Sequence, residues 1–172
     1  MSRMLALVCA FALSAGPAMV PALAQQPAAP AAAASTPPYG PPITLDQAKR
    51  AMAAAELEAA KNSLQVVITI LDSGGNLIMF HRFDNAQLSA TTVSEGKART
   101  ALEFKRPSKV LDDAIAAGGA GMRLLALKNI TPIEGGLPVI VDGKIVGAIG
   151  VSGALSSQDA QVAKAGADAL NR

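Results

Sequence analysis

The amino-acid sequence predicts a single α+β domain in which helices cover an antiparallel sheet. Two runs rich in β-branched and aromatic residues, 65–72 and 77–83, are separated by a short turn sequence that permits only a hairpin. A second pair of runs, 137–141 and 144–151, is joined by Asp142-Gly143, which favours a two-residue hairpin turn. Because segments with helical spacing precede, separate and follow the two hairpins, we expect one sheet covered by helices.

The helices are predicted from their caps and from their apolar spacing. Thr44 followed by Gln47 has the pattern of a capping box, and apolar residues then recur at helical spacing until Asn62. Three further helices are predicted: 92–104, 108–117 and a last helix capped by Ser156 or Ser157. The short apolar segment 124–127 has a pattern that fits neither a helix nor a strand clearly.

The N-terminal sequence has the layout of a secretory signal. Arg3 precedes an apolar run, 4–13, that is too short to span a bilayer, and the small-residue pattern Ala22-Leu23-Ala24 follows it. Glycine and proline residues between 16 and 21 argue against a buried helix in this region. We therefore expect cleavage after Ala24 and a periplasmic or secreted protein with no membrane span after cleavage.

The rest of the chain divides into a linker and a folded domain. The expected organisation is a signal peptide over 1–24, a disordered Ala/Pro-rich linker over 25–42 and a domain over 43–172. The one cysteine, Cys9, lies within the signal, so the mature protein needs no disulfide. With 15 basic residues against 13 acidic ones, no tryptophan and one tyrosine, the chain lacks the basic and aromatic pattern of a nucleic-acid-binding protein.

Three long segments resemble the GlcG/HbpS family. They are VVITILDSGGNLIMFHRFDNAQ at 66–87, GKARTALEFKRPSK at 96–109 and TPIEGGLPVIVDGKIVGAIGVSGALSSQDAQVAKAGADAL at 131–170. The resemblance implies an antiparallel sheet of about five strands flanked by helices, and a homo-oligomer. It also implies haem as a cofactor, because some members are similar to haem-binding proteins. One exported branch resembles a haem-dependent partner of a membrane sensor kinase.

Four residues are candidates to hold a haem. His81 is the only histidine, and neutral imidazole is the usual protein ligand of haem iron; strand alternation places it on one face with Leu77, Met79 and Phe83. The candidate partners of the haem propionates are Arg82, Lys105 and Arg106. The alternative for His81 is a partly buried strand histidine, and the alternative for Arg82 is a solvated salt bridge with Asp84. The alternative for the basic run, which also includes Lys97, Arg99 and Lys109, is a solvated helix face.

A second group of candidates lies in two glycine-containing loops. Glu134-Gly135-Gly136 precedes a strand, and its glycines allow backbone N–H groups to converge on an anion. Ser152-Gly153 ends a strand just before the last helix. If the two loops meet, they would form a small polar pocket in which Glu134 and Ser152 are the candidate catalytic residues. Tight turns that require glycine are the alternative. No metal site is expected from the protein alone.

Three functions therefore stay open at this level: an exported haem- or small-ligand-binding protein that sequesters or senses its ligand, an enzyme acting on a small organic acid through Glu134, Ser152 and Arg82, and an oligomeric accessory protein of a sensor or metabolic system. No complete set of nucleophile, base and orienting group is visible in the sequence, which favours a binding protein.

Overall fold

The computed structural model describes residues 36–170 and shows an α+β domain, as predicted. The expected signal peptide and most of the expected linker lie outside these residues. In chain order the elements are α1 (Leu45–Lys61), β1 (Val67–Asp72), β2 (Leu77–Arg82), α2 (Ala90–Glu103), α3 (Ser108–Ala116), a 3-10 helix (Gly119–Ala126), β3 (Gly136–Val141), β4 (Lys144–Ser152) and α4 (Ser156–Asp168).

The sheet is antiparallel throughout, with the strand order β2-β1-β4-β3. The two predicted hairpins are confirmed, and the second turns at Asp142 and Gly143, both with positive φ. The expectation of about five strands is corrected to four among the described residues. The undetermined segment at 124–127 contributes no strand, because most of it belongs to the 3-10 helix.

The folded part of the chain begins a few residues before the predicted boundary at residue 43. Tyr39 forms a parallel bridge with Ile145: the Gly40 N–H donates to the Ile145 carbonyl at 2.8 Å, and the Ile145 N–H donates to the Pro38 carbonyl at 2.9 Å. The ladder between β1 and β4 ends at Gly147, so the beginning of β4 has backbone groups available to another partner. Proline still accepts hydrogen bonds through its carbonyl, which is why a Pro-rich segment expected to be disordered can pair here.

Helices pack on both faces of the sheet. On one face, α1 and α4 cover a cluster that includes Met52, Ile68 and Val162. On the other face, α2 packs closely enough that a Cβ on Gly150 would lie 2.1 Å from the Ser94 carbonyl oxygen. Any side chain at Gly150 would therefore push α2 off the sheet.

Candidate functional site

The four predicted cofactor-binding residues lie in two groups at opposite edges of the sheet. His81 and Arg82 end the edge strand β2, whereas Lys105 and Arg106 follow α2 and line a groove beside the other edge strand, β3. Three strand spacings, about 14 Å in all, separate the two edges. The structure therefore divides the predicted set between two grooves and does not bring its members into one site.

The side chain of His81 faces the layer formed by α1 and α4. The predicted grouping with Met79 is confirmed, because both residues pair with β1 residues that point into that layer. Leu77 departs from the predicted alternation, since a β-bulge pairs it with Leu71, whose side chain packs toward α2. Phe83, just beyond the strand, packs against clusters on both faces.

A carboxylate from α1 holds the imidazole of His81. The Nδ1 atom of His81 is hydrogen-bonded to Oε1 of Glu56, a residue that the sequence analysis did not single out. An ionised carboxylate can only accept, so Nδ1 carries the proton of this bond; in the neutral imidazole, Nε2 then has its lone pair free for another partner. The His81 side chain is 49% exposed, so this nitrogen is not sealed inside the fold.

The groove around His81 combines aromatic and charged side chains. It has a volume of about 620 Å³, and we call it the His81 groove; its lining residues are Glu56, Gln65, Phe80, His81, Arg82, Phe83 and Asp84. Phe80 and Phe83 are half-buried against Val67 and Ala86, which fixes their rings. Arg82 donates from Nη2 to the Ala86 carbonyl at 3.0 Å, which orients its guanidinium at the end of β2.

The two predicted glycine loops do meet, but the chain's own side chains occupy the space between them. The Val151 N–H donates to the Gly135 carbonyl at 2.9 Å, which joins one loop to the other. Beside them, Lys97 Nζ donates to Oδ2 of Asp159 at 2.8 Å, and both side chains are 2% exposed. The space where a small polar pocket would form if the loops met thus holds a buried ion pair, and Lys97 does not lie on a solvated helix face.

Asp159 also ties the last helix to the preceding loop, because its Oδ1 accepts the Ala154 N–H at 3.0 Å. Burial raises the pKa of the Asp159 carboxyl, while the Lys97 ammonium and the Ala154 amide oppose that change. One sequence signal pointed to Lys97: it shares the buried side of α2 with Ser94 and Ala101, three residues before it and four after it.

The two catalytic candidates occupy different surroundings. The backbone N–H of Glu134 donates to Asp112 at 3.1 Å. The hydrogen bond with Asp113 raises the pKa of the Lys109 ammonium, and the nearby Glu134 carboxylate adds to that rise. Ser152 is buried at the end of β4, where it is in register with Val67 and, one strand further, with Arg82. Arg82 is thus two strand spacings, about 10 Å, from Ser152.

The remaining loop glycines serve the backbone. Gly136 donates its N–H to the Ser108 hydroxyl at 2.9 Å, and Gly153 has a φ of +138° with the Gln65 carbonyl oxygen 2.5 Å from where a Cβ would be. These contacts support the interpretation of tight turns.

Across residues 36–170, no helix is long and apolar enough to cross a bilayer, and no three His, Cys, Asp or Glu side chains are grouped to hold a metal ion.

Lys105 and Arg106 line the second groove, of about 430 Å³, together with Lys164 and mostly apolar residues of β3 and its surroundings. We call it the Lys105 groove. Its remaining lining residues are Pro37, Pro107, Leu137, Pro138, Ile140, Ala167 and Asp168. It contains cations and an apolar floor but no histidine.

Comparisons with known proteins give a consistent result. Residues 43–168 match the protein family described as haem degrading protein HbpS-like. Protein GlcG of Escherichia coli (strain K12) is 41% identical over 110 residues, covering 64% of this chain and 81% of GlcG. An HbpS double mutant from Streptomyces reticuli is 31% identical with a TM-score of 0.71, covering 84% of this chain and 99% of that one. A crystal structure of a PduOC–haem complex is 26% identical with a TM-score of 0.69, covering 76% of this chain and 96% of that one.

Proposed function

Because the chain belongs to the HbpS-like family, we propose that it is an exported protein that binds haem in the His81 groove. The observation that carries this proposal is the pairing of His81 with Glu56 inside an aromatic-lined groove. Two similar proteins support the ligand: one is an HbpS and the other was crystallised as a complex with haem. The signal-like sequence at 1–24 supports export.

The residues of the groove fit an axially ligated haem. A carboxylate that accepts from Nδ1 orients the imidazole and is the usual outer partner of a metal-binding histidine. Phe83, which packs against clusters on both faces of the sheet, provides apolar contact for the porphyrin on the side of His81. Phe80 and Arg82 alternate with His81 along β2 and face the α2 side, so they border the groove at the strand edge, where the Arg82 guanidinium would provide a cation for a propionate. A volume of about 620 Å³ lies within the range of about 300–1,000 Å³ typical of small-molecule sites.

The His81 groove is open on one side, and a second copy of the chain could cover it. Half of the His81 side chain is exposed, and a haem bound there would leave one porphyrin face uncovered by this chain. A second copy packed over the groove would cover that face, so we include a homo-oligomer in the proposal. Haem sequestration or haem sensing outside the cytoplasm is the corresponding biological role.

The test is a titration of the chain beginning at Gln25 with ferric haem, followed by absorbance. We expect a saturable, shifted Soret band. The His81→Ala variant should lose the shifted band and bind at least about tenfold more weakly, because no other histidine can replace the ligand. Glu56→Gln should keep the band and weaken binding by about tenfold, since the outer partner tunes the ligand without replacing it.

Lys49→Gln, a change at an exposed position of α1, serves as the matched control and should bind like the wild type. A wild-type titration that matches free haem would refute haem binding. An unchanged spectrum and affinity in His81→Ala would refute the assignment of the iron ligand while leaving haem binding in place.

A further inference from the structure

The Lys105 groove has the composition of a site for an amphipathic anion. Its floor and walls are apolar, with Leu137, Pro138 and Ile140 of β3 and Pro107 at the start of α3. Its lining also includes three cations, Lys105, Arg106 and Lys164, and one acidic residue, Asp168, which is paired with Lys164. An apolar volume bordered by a net positive charge complements a ligand with an apolar body and a carboxylate.

The backbone at Lys105 is unfavourable for lysine. Helix α2 ends in a turn in which the Lys105 N–H donates to the Leu102 carbonyl and the Arg106 N–H to the Ala101 carbonyl, each at 3.2 Å. Lys105 has a φ of +53° at the position after the helix where glycine is usual. Lysine is disfavoured at this backbone conformation.

Contacts around Lys105 fix the position of its charge. Its Nζ lies 4.2 Å from the centroid of the Tyr39 ring, a cation–π arrangement. The Tyr39 hydroxyl in turn donates to the Leu102 carbonyl at 2.9 Å, which fixes the ring. Arg106 is oriented by a bond from Nε to the Phe104 carbonyl at 3.0 Å. Two cations are therefore positioned before any ligand arrives.

From these observations we propose that the Lys105 groove binds an amphipathic carboxylate, such as a medium-chain fatty acid, independently of the His81 groove. The apolar tail would lie on Leu137, Pro138 and Ile140, and the carboxylate would meet Lys105 and Arg106 by charge-assisted hydrogen bonds. The volume of about 430 Å³ suits a small ligand. This ligand and the proposed haem would lie at opposite edges of the sheet.

The experiment compares decanoate with decanol, which has a similar tail and no charge, by calorimetric titration of the chain beginning at Gln25. We expect decanoate to bind at least about tenfold more tightly than decanol, since one charge-assisted contact contributes at least that much. Lys105→Gly should weaken decanoate binding by about tenfold and leave the melting temperature equal or higher, because glycine suits the positive φ. Arg106→Gln provides a second variant with the same expected loss.

Parallel haem titrations separate the two proposals. We expect Lys105→Gly to bind haem like the wild type and His81→Ala to bind decanoate like the wild type. Equal affinity for decanoate and decanol, or unchanged decanoate binding in both cation variants, would overturn the inference. The inference would also be overturned if Lys105→Gly weakened the binding of haem and decanoate alike, because the groove would then belong to the haem site. Dissociation of an oligomer by Arg106→Gln in a sedimentation experiment would overturn it too, because the groove would then belong to a subunit interface.

Discussion

Replacing Lys97 by methionine tests whether the buried ion pair holds the two glycine loops together. Lys97 and Asp159 are each 2% exposed, so the change leaves a carboxylate out of water with the Ala154 N–H at 3.0 Å as its remaining bond. Removing one partner of a buried pair costs about 3–5 kcal/mol, because the other charge stays buried without compensation. For a domain with a total stability of about 5–15 kcal/mol, this is a large part of the free energy of unfolding.

The assay is urea unfolding followed by far-ultraviolet circular dichroism, since the chain has no tryptophan. With a slope of about 1.5 kcal/mol per molar urea, the expected loss moves the midpoint down by about 2–3 M. The double variant Lys97→Met/Asp159→Asn should recover part of this loss, because the neutral amide still accepts the Ala154 N–H and no unpaired charge remains.

The matched control is Lys109→Met, which removes a lysine from the exposed pair with Asp113 and should leave the midpoint unchanged. If Lys97→Met shifted the midpoint no more than Lys109→Met, the interpretation of the pair as the junction of the two loops would be refuted. A double variant less stable than Lys97→Met alone would show that the loss comes from packing and not from the unpaired charge.

Two further predictions concern backbone turns. Gly135→Ala should destabilise the domain by about 2–4 kcal/mol, because φ is +125° and the new Cβ would lie 2.8 Å from the Val151 carbonyl oxygen. Gly143→Ala, with a φ of +73° and no atom within 4 Å of the new Cβ, should cost about 1 kcal/mol. Equal losses of the two variants in urea unfolding would contradict the close-contact explanation. Burial alone raises the pKa of Asp72, but bonds from Asn76 and the turn amides outweigh it and lower the pKa, so Asp72→Asn should cost about 1–2 kcal/mol at pH 7. The wild type is more stable than Asp72→Asn above the unfolded-state pKa of about 3.9, and it loses this extra stability as the pH falls through the lower folded-state pKa. A difference between the urea midpoints of the two proteins that persists near pH 2 would contradict the prediction.

Local signals in the sequence were enough to predict most of the fold. The capping box at Thr44 is confirmed by two reciprocal bonds with Gln47, and the turn at Asp142-Gly143 has the two positive φ angles that a two-residue hairpin needs. These features depend on residues a few positions apart, which is why they can be identified without knowing the tertiary structure.

The features that were not predicted depend on contacts between distant segments. Lys97 and Asp159 are 62 residues apart, and charged side chains are ordinarily solvated, so neither residue by itself indicates burial. The pairing of Tyr39 with β4 was hidden by a composition typical of disorder. Glu56 was not predicted as the partner of His81 because helix α1 must first pack on the sheet before the two side chains meet.

Pro138 makes the two free edges of the sheet unequal. The N–H of Gly136, two residues earlier on β3, points away from β4 and is taken by the Ser108 hydroxyl. Strand alternation gives Pro138 the same direction, and proline has no N–H to offer there. The outer edge of β3 is thus blocked against strand addition, whereas β2 pairs with β1 alone within residues 36–170. A sheet continued into a neighbouring molecule must therefore grow across β2, which would place the added strand against His81.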